Sequence, residues 1–400
     1  MIAFHFPPLA GSSGIQRTLR FVQQLPHFGW QPIVLTASTH AYEQTSSDLL
    51  SQIPAGTPVC RAFALNATRH LAIAGRYPGF LARPDRWSTW LLGAVPAGLD
   101  LIHRLRPRAI WSTYPIPTAH RIARNLSRIC KLPWVADFRD PMAQDGYPSD
   151  PATWRCYKRV EEAVVRNAAA SVFVTRSAAE TYRNRYPSSA NRIRVIENGF
   201  DESSFNDLPG EKSRLVPGRF CLLHSGIVYP SERDPTALFR ALHSLRVAGR
   251  AGALLVRFRA SANDSLLLDL ARRLEVADLI EVLPPIPYRD ALSEMLRADG
   301  LLVLQASNCN EQIPAKVYEY LRAGRPILGL TDPAGDTAEL LLRVGIRHLA
   351  PLENADAIAP TLESFLRDAP HELPGKNLAA AFSRQHRTAE LSQLLNEVAA

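Results

Sequence analysis

Short apolar runs alternate along the whole chain with longer stretches in which apolar positions recur every three or four residues. That alternation predicts parallel α/β layers, with helices covering a sheet. In the first half, strands are predicted at Ile2–Phe6, Pro32–Thr36, Ala109–Ser112, Trp134–Phe138, Ser171–Thr175 and Ile193–Ile196. Helical segments between them include Ile15–Leu25, Pro117–Cys130 and Thr153–Asn167. In the second half, strands are predicted at Phe220–Ser225, Ala253–Arg259, Ile280–Leu283, Gly300–Gln305 and Pro326–Leu330. Helices are predicted there at Pro235–Ala248, Ser265–Leu274, Tyr288–Arg297, Pro314–Ala323 and Thr337–Val344. Residues 61–99 carry no clear period. The last segment, Ala379–Val398, is an amphipathic helix with Leu391, Leu394, Leu395 and Val398 on one stripe.

Between the halves, Asn198 to Gly218 is rich in Asn, Asp, Pro, Gly and Ser and reads as a linker. A chain of 400 residues is long enough for two packed lobes. The expected division is 1–200, a linker at 201–218, 219–378, and a terminal helix at 379–400. Such lobes hold ligand in the cleft between them, at the carboxyl ends of the strands, so chemistry is sought on loops that follow strands.

With 46% hydrophobic and 21% charged residues, the composition argues against a disordered, collagenous or coiled-coil protein. No apolar run reaches the length of a membrane-spanning helix, and the N-terminus does not read as a secretory signal. Cys60, Cys130, Cys156, Cys221 and Cys309 are dispersed, which fits a reducing cytoplasm better than a disulfide framework or zinc knuckle. The net charge is +8, and residues 101–136 hold seven basic side chains (Arg104, Arg106, Arg108, Arg121, Arg124, Arg128, Lys131) without an acid. That face is either ordinary solvated surface or a partner for nucleic acid, anionic membrane or a phosphorylated ligand. With 8% aromatic residues and no nucleic-acid module, a nucleic-acid partner is the weakest of these.

Two loops could hold phosphate. PPLAGSSGIQR follows the first predicted strand and supplies Gly11, Gly14 and Arg17 before a helix. The second half opens similarly with His224, Ser225 and Gly226, followed by Arg233 and Asp234 at a helix start. Helix N-termini offer unpaired N–H groups to anions, and Arg suits a diphosphate. Each loop serves equally as a tight turn or an ordinary cap, and neither matches a dinucleotide fingerprint or a P-loop. A third stretch, NEQIPAKVYEYLRAGRPILGL, sets Glu311 on a loop and Glu319 on the helix begun by Pro314 and closed by Gly324. Two carboxylates so spaced, with Lys316 near the helix start, could reach different hydroxyls of an extended anionic ligand, or simply face solvent.

The Glu-x7-Glu spacing resembles the donor-sugar signature of the family-4 retaining glycosyltransferases, and PPLAGSSGIQRTLRFVQQLPHFGWQPIVLT, PWVADFRDP, VIENGFD and SGIVYPSERDP resemble further blocks of a polysaccharide-assembly subgroup. The resemblance implies the GT-B architecture: two Rossmann-like lobes with an interlobe cleft, an acceptor-binding first lobe, a nucleotide-sugar-binding second lobe, and a C-terminal helix packing back on the first lobe. It implies that Glu319 accepts the ribose hydroxyls and Glu311 lies near the sugar at the reaction centre. Gly226 and Arg233 would face the diphosphate beside Ser225, Lys316 and Val317, and Gly14 would approach the donor phosphate. Pro285 and Ile286, within Pro284 to Pro287, would read the base. This chain departs from many members in having Gln312, Ile313, Pro314, Ala315 and Lys316 where they carry glycine-rich residues.

On the acceptor side, His120 follows a predicted strand, and the resemblance places it in the catalytic cleft; packing between strand and helix is the other reading. Arg17, Asp137 and Arg139 are assigned to the same side, with a structural ion pair as the alternative for Asp137 and Arg139. No D-x-D occurs, so no metal or other cofactor is expected, and helix amides, Arg233 and Lys316 would neutralise the leaving diphosphate. The resemblance implies same-face transfer of a hexosyl or N-acetylhexosaminyl group to a glycan or polyprenyl-linked acceptor, in the cytoplasm or peripherally at the inner membrane face. Two alternatives remain: a nucleotide-sugar 2-epimerase of the same fold, and an inactive transferase-like scaffold.

Overall fold

The computed structural model describes all residues except 13, 73, 207, 209–212 and 370–379. The start of the predicted terminal helix at Ala379 and part of the predicted linker therefore lie outside the described residues. The chain forms two compact units, Met1–Asn198 with Arg384–Ala400, and Gly199–Ser383.

In unit 1 the strands are β1 (Val34–Ala37), β2 (Val59–Ala62), β3 (Ile110–Thr113), β4 (Trp134–Arg139), β5 (Ala170–Phe173) and β6 (Ile193–Val195). β1 pairs with β2, and β3 to β6 pair in sequence, all parallel. Ile2 joins the two groups through parallel bridges to Leu35 and Ser112. The order is thus β2, β1, the N-terminal segment, β3, β4, β5, β6. Here the predicted strand Ile2–Phe6 shrinks to the bridge at Ile2, since after Ala3 the backbone turns, with Phe6 N–H donating to Phe4 C=O.

Unit 2 contains β7 (Phe220–Ser225), β8 (Leu254–Arg259), β9 (Ile280–Leu283), β10 (Gly300–Gln305), β11 (Ile327–Thr331) and β12 (Leu349–Ala350). Their order is β12-β11-β10-β7-β8-β9, all parallel. Numbered within the unit, this is the 3-2-1-4-5-6 order of a doubly wound sheet, whose strand order reverses between β7 and β10. The carboxyl ends of those two strands diverge into loops on either side, and the crevice between them is where such sheets hold ligands. In unit 1 the reversal falls between the N-terminal segment and β3.

The helices flanking these points form for local reasons. Pro314 precedes helix Ala315–Ala323, which buries Val317, Tyr318, Tyr320 and Leu321 and stops at Gly324 with φ +65°. Helix Pro117–Cys130 starts on a proline, and Asp85 accepts the N–H and Oγ–H of Thr118 at 2.9 and 2.7 Å in place of a local cap. Helix Arg384–Ala399 belongs to unit 1, where Leu391, Leu394 and Leu395 join Phe21 and Trp111 in one apolar cluster. Phe200 and Phe205, within the stretch read as linker, are buried in the core of unit 2. Among the described residues no helix is long and apolar enough to cross a membrane.

Candidate active site

At the strand reversal of unit 2, β7 ends at Ser225 and the chain turns through Gly226, whose φ of +120° suits only glycine. A Cβ there would stand 3.0 Å from the Lys316 ammonium, so glycine also keeps open the space beside that charge. Lys316 lies in the first turn of helix Ala315–Ala323, and its Nζ is 3.1 Å from His224 Nε2. His224 Nδ1 is 3.0 Å from the carbonyl of Leu302. A carbonyl only accepts, so Nδ1 carries the proton, and Nε2 accepts from the Lys316 ammonium. Burial first, then the neighbouring lysine, hold the His224 pKa well below its ordinary value, so His224 is a neutral clamp rather than a third cation.

Burial also pushes the Lys316 pKa well down, and the Arg233 guanidinium pushes it further in spite of Glu319. Arg233 is steadied by a 2.7 Å hydrogen bond to the Ile227 carbonyl and by the Tyr229 ring, 5.1 Å away. Two cations are thus held near each other at the start of a helix. An anion would relieve their repulsion and meet the helix N-terminus.

Glu319, one turn further along the helix, accepts a 2.7 Å hydrogen bond from Tyr288 Oη. Tyr288 opens the helix that follows Pro284 to Pro287, and Arg259 Nη1 pins that loop through the Pro284 carbonyl at 2.8 Å. The structure therefore brings the loop of Pro285 and Ile286 to Glu319. Ser225 donates its N–H to Tyr320 Oη at 2.9 Å, tying β7 to the same helix, while Val317 is buried beneath it. Glu311 lies half-buried on the turn after β10. Its loop is fixed by Gln305 Nε2, which donates to the carbonyls of Cys309 and Gln312 at 2.7 and 2.8 Å.

A second cluster occupies the reversal point of unit 1. Gly14 opens helix Gly14–Gln24, and a Cβ on it would stand 2.7 Å from both Arg139 Nη1 and His5 Nδ1. Arg139 is held at φ +62° where the pairing of β4 with β5 shifts register. Such left-handed backbone in a non-glycine residue costs about 1–3 kcal/mol. Among the described residues its guanidinium donates only a long 3.4 Å contact to the Tyr114 carbonyl, and its buried Nε has no partner. Burial, followed by the Arg139 charge, lowers the His5 pKa to about 4. His5 shares a 2.9 Å hydrogen bond with Ser12 Oγ, which accepts the Gly14 N–H.

Two sequence expectations read differently in the structure. Arg17 and Asp137 are both buried and bind one another, Nε and Nη2 donating to the two carboxylate oxygens at 3.0 and 2.9 Å. The remaining N–H groups of Arg17 go to the carbonyls of Ile196 and Glu197 and to Asn198 Oδ1. Their partners are thus internal, and Asp137 pairs with Arg17 rather than Arg139. His120, expected to line the catalytic cleft, has no exposed surface: its ring packs against Trp134 and Phe138 and its Nδ1 is 2.8 Å from Ser112 Oγ. Residues the sequence reading left out of the site are His224's role as clamp, Tyr288, and the pair His5 and Ser12. Of these, only the histidine beside Ser225 and Gly226 carried a local signal.

Residues 13–199 match the family model of the glycosyl transferase 4-like domain. No curated protein matches the chain by sequence. Among solved structures, the chain is similar to the Anabaena protein HepE in complex with UDP, at 14% identity and TM-score 0.67, over 99% of this chain and 98% of that one. It is similar to sucrose-phosphate synthase from Thermosynechococcus elongatus at 16% identity and TM-score 0.69, over 99% and 98% of the two chains. It is also similar to the UDP-GlcNAc 2-epimerase of Neisseria meningitidis bound to UDP-GlcNAc, at 10% identity and TM-score 0.54, over 99% of each chain. The fold is GT-B: two Rossmann-like α/β units, each with its parallel sheet.

Proposed function

We propose that the protein is a retaining, metal-independent glycosyltransferase that moves a hexosyl or N-acetylhexosaminyl group from a nucleoside-diphosphate sugar to a glycan or lipid-linked acceptor. Cell-surface polysaccharide assembly is the proposed setting. The observation that carries this reading is the cation pair of Lys316 and Arg233 beside Gly226, with Glu319 and the Pro285–Ile286 loop joined through Tyr288. The match of residues 13–199 and the UDP-bound neighbours support it.

In this reading Lys316, Arg233 and the helix N-terminus stabilise the charge that develops on the leaving diphosphate. Glu319 orients the ribose, Pro285 and Ile286 face the base, and Glu311 holds the sugar. Arg139 and His5 line the acceptor side, while Arg17 and Asp137 hold the backbone that carries them.

Mass-spectrometric detection of released nucleoside diphosphate across a panel of donors tests the assignment. Glu311→Ala is expected to lower kcat roughly 10²-fold, the scale for losing one group that acts on the transition state. Glu319→Ala is expected mainly to raise the donor KM. Unchanged turnover in Glu311→Ala would overturn that role, and epimerised sugar from donor alone would favour the 2-epimerase reading. Activity should persist in EDTA; a loss there that Mn²⁺ restores would refute the metal-free scheme.

A cytoplasmic protein acting on lipid-linked acceptor would meet the inner membrane face, and the basic residues of 101–136 supply a surface for anionic lipid. Co-sedimentation should then favour anionic over neutral vesicles; equal binding would remove the peripheral role.

A further inference from the structure

We propose that unit 1 carries an anion site that takes a phosphate group between helices Pro117–Cys130 and Pro151–Asn167. These two helices flank a cavity of about 290 Å³ lined by Arg83, His120, Arg121, Arg124, Cys156 and Arg159, among others. A water occupies about 30 Å³ of the liquid, so the space admits a phosphate group with its ordered water.

The inner wall is closed by His120. Ser112 Oγ accepts the Trp134 Nε1–H at 2.7 Å and lies 2.8 Å from His120 Nδ1. If Ser112 donates its hydroxyl proton to Nδ1, the one group left over is the Nε2–H of His120. The opposite tautomer leaves two, the serine proton and the Nε2 lone pair, and buried polar groups are rarely left unpaired. His120 has no exposed surface, and its Nε2 is buried without a hydrogen-bond partner among the described residues.

The outer wall is cationic and short of acids. Arg121, Arg124 and Arg159 make no ion pair among the described residues. Arg83 is paired at 3.2 Å with the exposed Asp150. Asp85, the carboxylate whose field reaches Arg121, is committed to the Thr118 N–H and Oγ–H and the Trp87 N–H. Guanidinium groups present paired donors that match phosphate oxygens, and three of them unneutralised around one opening favour a multiply charged anion. The site shares no residue with the Lys316 cluster.

The test uses the full chain with Lys316→Met, which removes one cation from the unit 2 site. Inorganic phosphate is titrated into that protein and into the same protein carrying R121A, R124A and R159A, with circular dichroism as the folding control. The substitutions should weaken phosphate binding at least tenfold while leaving the spectrum unchanged. A parallel arm measures binding to vesicles containing an anionic phospholipid, with free phosphate as competitor. Vesicle binding that falls in the triple variant and yields to free phosphate identifies a lipid headgroup as the source. Phosphate binding without vesicle binding identifies a water-soluble phosphorylated ligand. If the three substitutions change neither titration, the proposal is wrong.

Discussion

Lys316→Met should lower donor turnover roughly 10²- to 10³-fold, the loss seen when one preorganised charge-stabilising donor is removed. The residue is placed for that effect from three directions. Its helix begins at Ala315, so the ammonium sits where the helix dipole already favours an anion. Neutral His224 fixes Nζ at 3.1 Å without cancelling its charge. Gly226 leaves the adjoining space clear. The same geometry predicts a proton signature. Burial and Arg233 depress the Lys316 pKa in the free protein, so part of the population loses its proton as pH rises through that lowered value. A bound diphosphate stabilises the ammonium and raises the pKa again, so binding takes up protons between the two values. Titrating UDP in buffers of different ionisation enthalpy measures that uptake, and Lys316→Met should abolish it. Full turnover in the variant, or proton release by the parent protein, would contradict the assignment.

Much of this site was legible because its parts are local. Gly226 follows a strand that the apolar run Phe220–Ser225 marks residue for residue, and Lys316 and Glu319 share one helix announced by Pro314 and closed by Gly324. What joins them was not legible. His224 and Lys316 are 92 positions apart, and Tyr288 and Glu319 are 31 apart, so neither contact leaves a mark on any short window of sequence. The same distinction explains the fold. Helix Pro117–Cys130 keeps a regular apolar face, and its predicted bounds match the observed ones, whereas helix Trp90–Leu105 begins within the stretch 61–99 that carries no clear period. Its period is broken by Gly93, Pro96 and Gly98, and two of these serve packing: Gly93 lies against the Phe63 backbone and Gly98 against Leu126. β2 escaped notice because Val59–Ala62 is a short edge strand, only partly buried and with a single neighbour. His120 shows the reverse failure. A histidine in the first turns of a helix after a strand has the same sequence context whether it faces a ligand or the core, and only Trp134 and Phe138 decide.

Arg17→Ala or Asp137→Ala should each destabilise unit 1 by about 3–5 kcal/mol, because each leaves a buried charge without its partner. All of the N–H groups of Arg17 are used: two on Asp137, and the rest on Ile196, Glu197 and Asn198, where the chain leaves unit 1. Asp137 also accepts the Thr113 hydroxyl at 3.0 Å. The pair therefore clamps helix Gly14–Gln24, β3, β4 and the end of β6 together, under the Gly14–Arg139 cluster. Arg17→Lys should recover little, since one ammonium cannot reproduce a fork that spans both carboxylate oxygens and three backbone or amide acceptors. Replacing both partners, as Arg17→Met with Asp137→Leu, should cost clearly less than the sum of the two single changes, since no charge is then stranded. The chain supplies its own probe. All six tryptophans (Trp30, Trp87, Trp90, Trp111, Trp134, Trp154) lie in unit 1, so tryptophan fluorescence in urea reports the unfolding of that unit alone. Single variants that unfold at the parental urea concentration would show that the pair is not holding the unit, and strictly additive losses in the double variant would show that its members act separately.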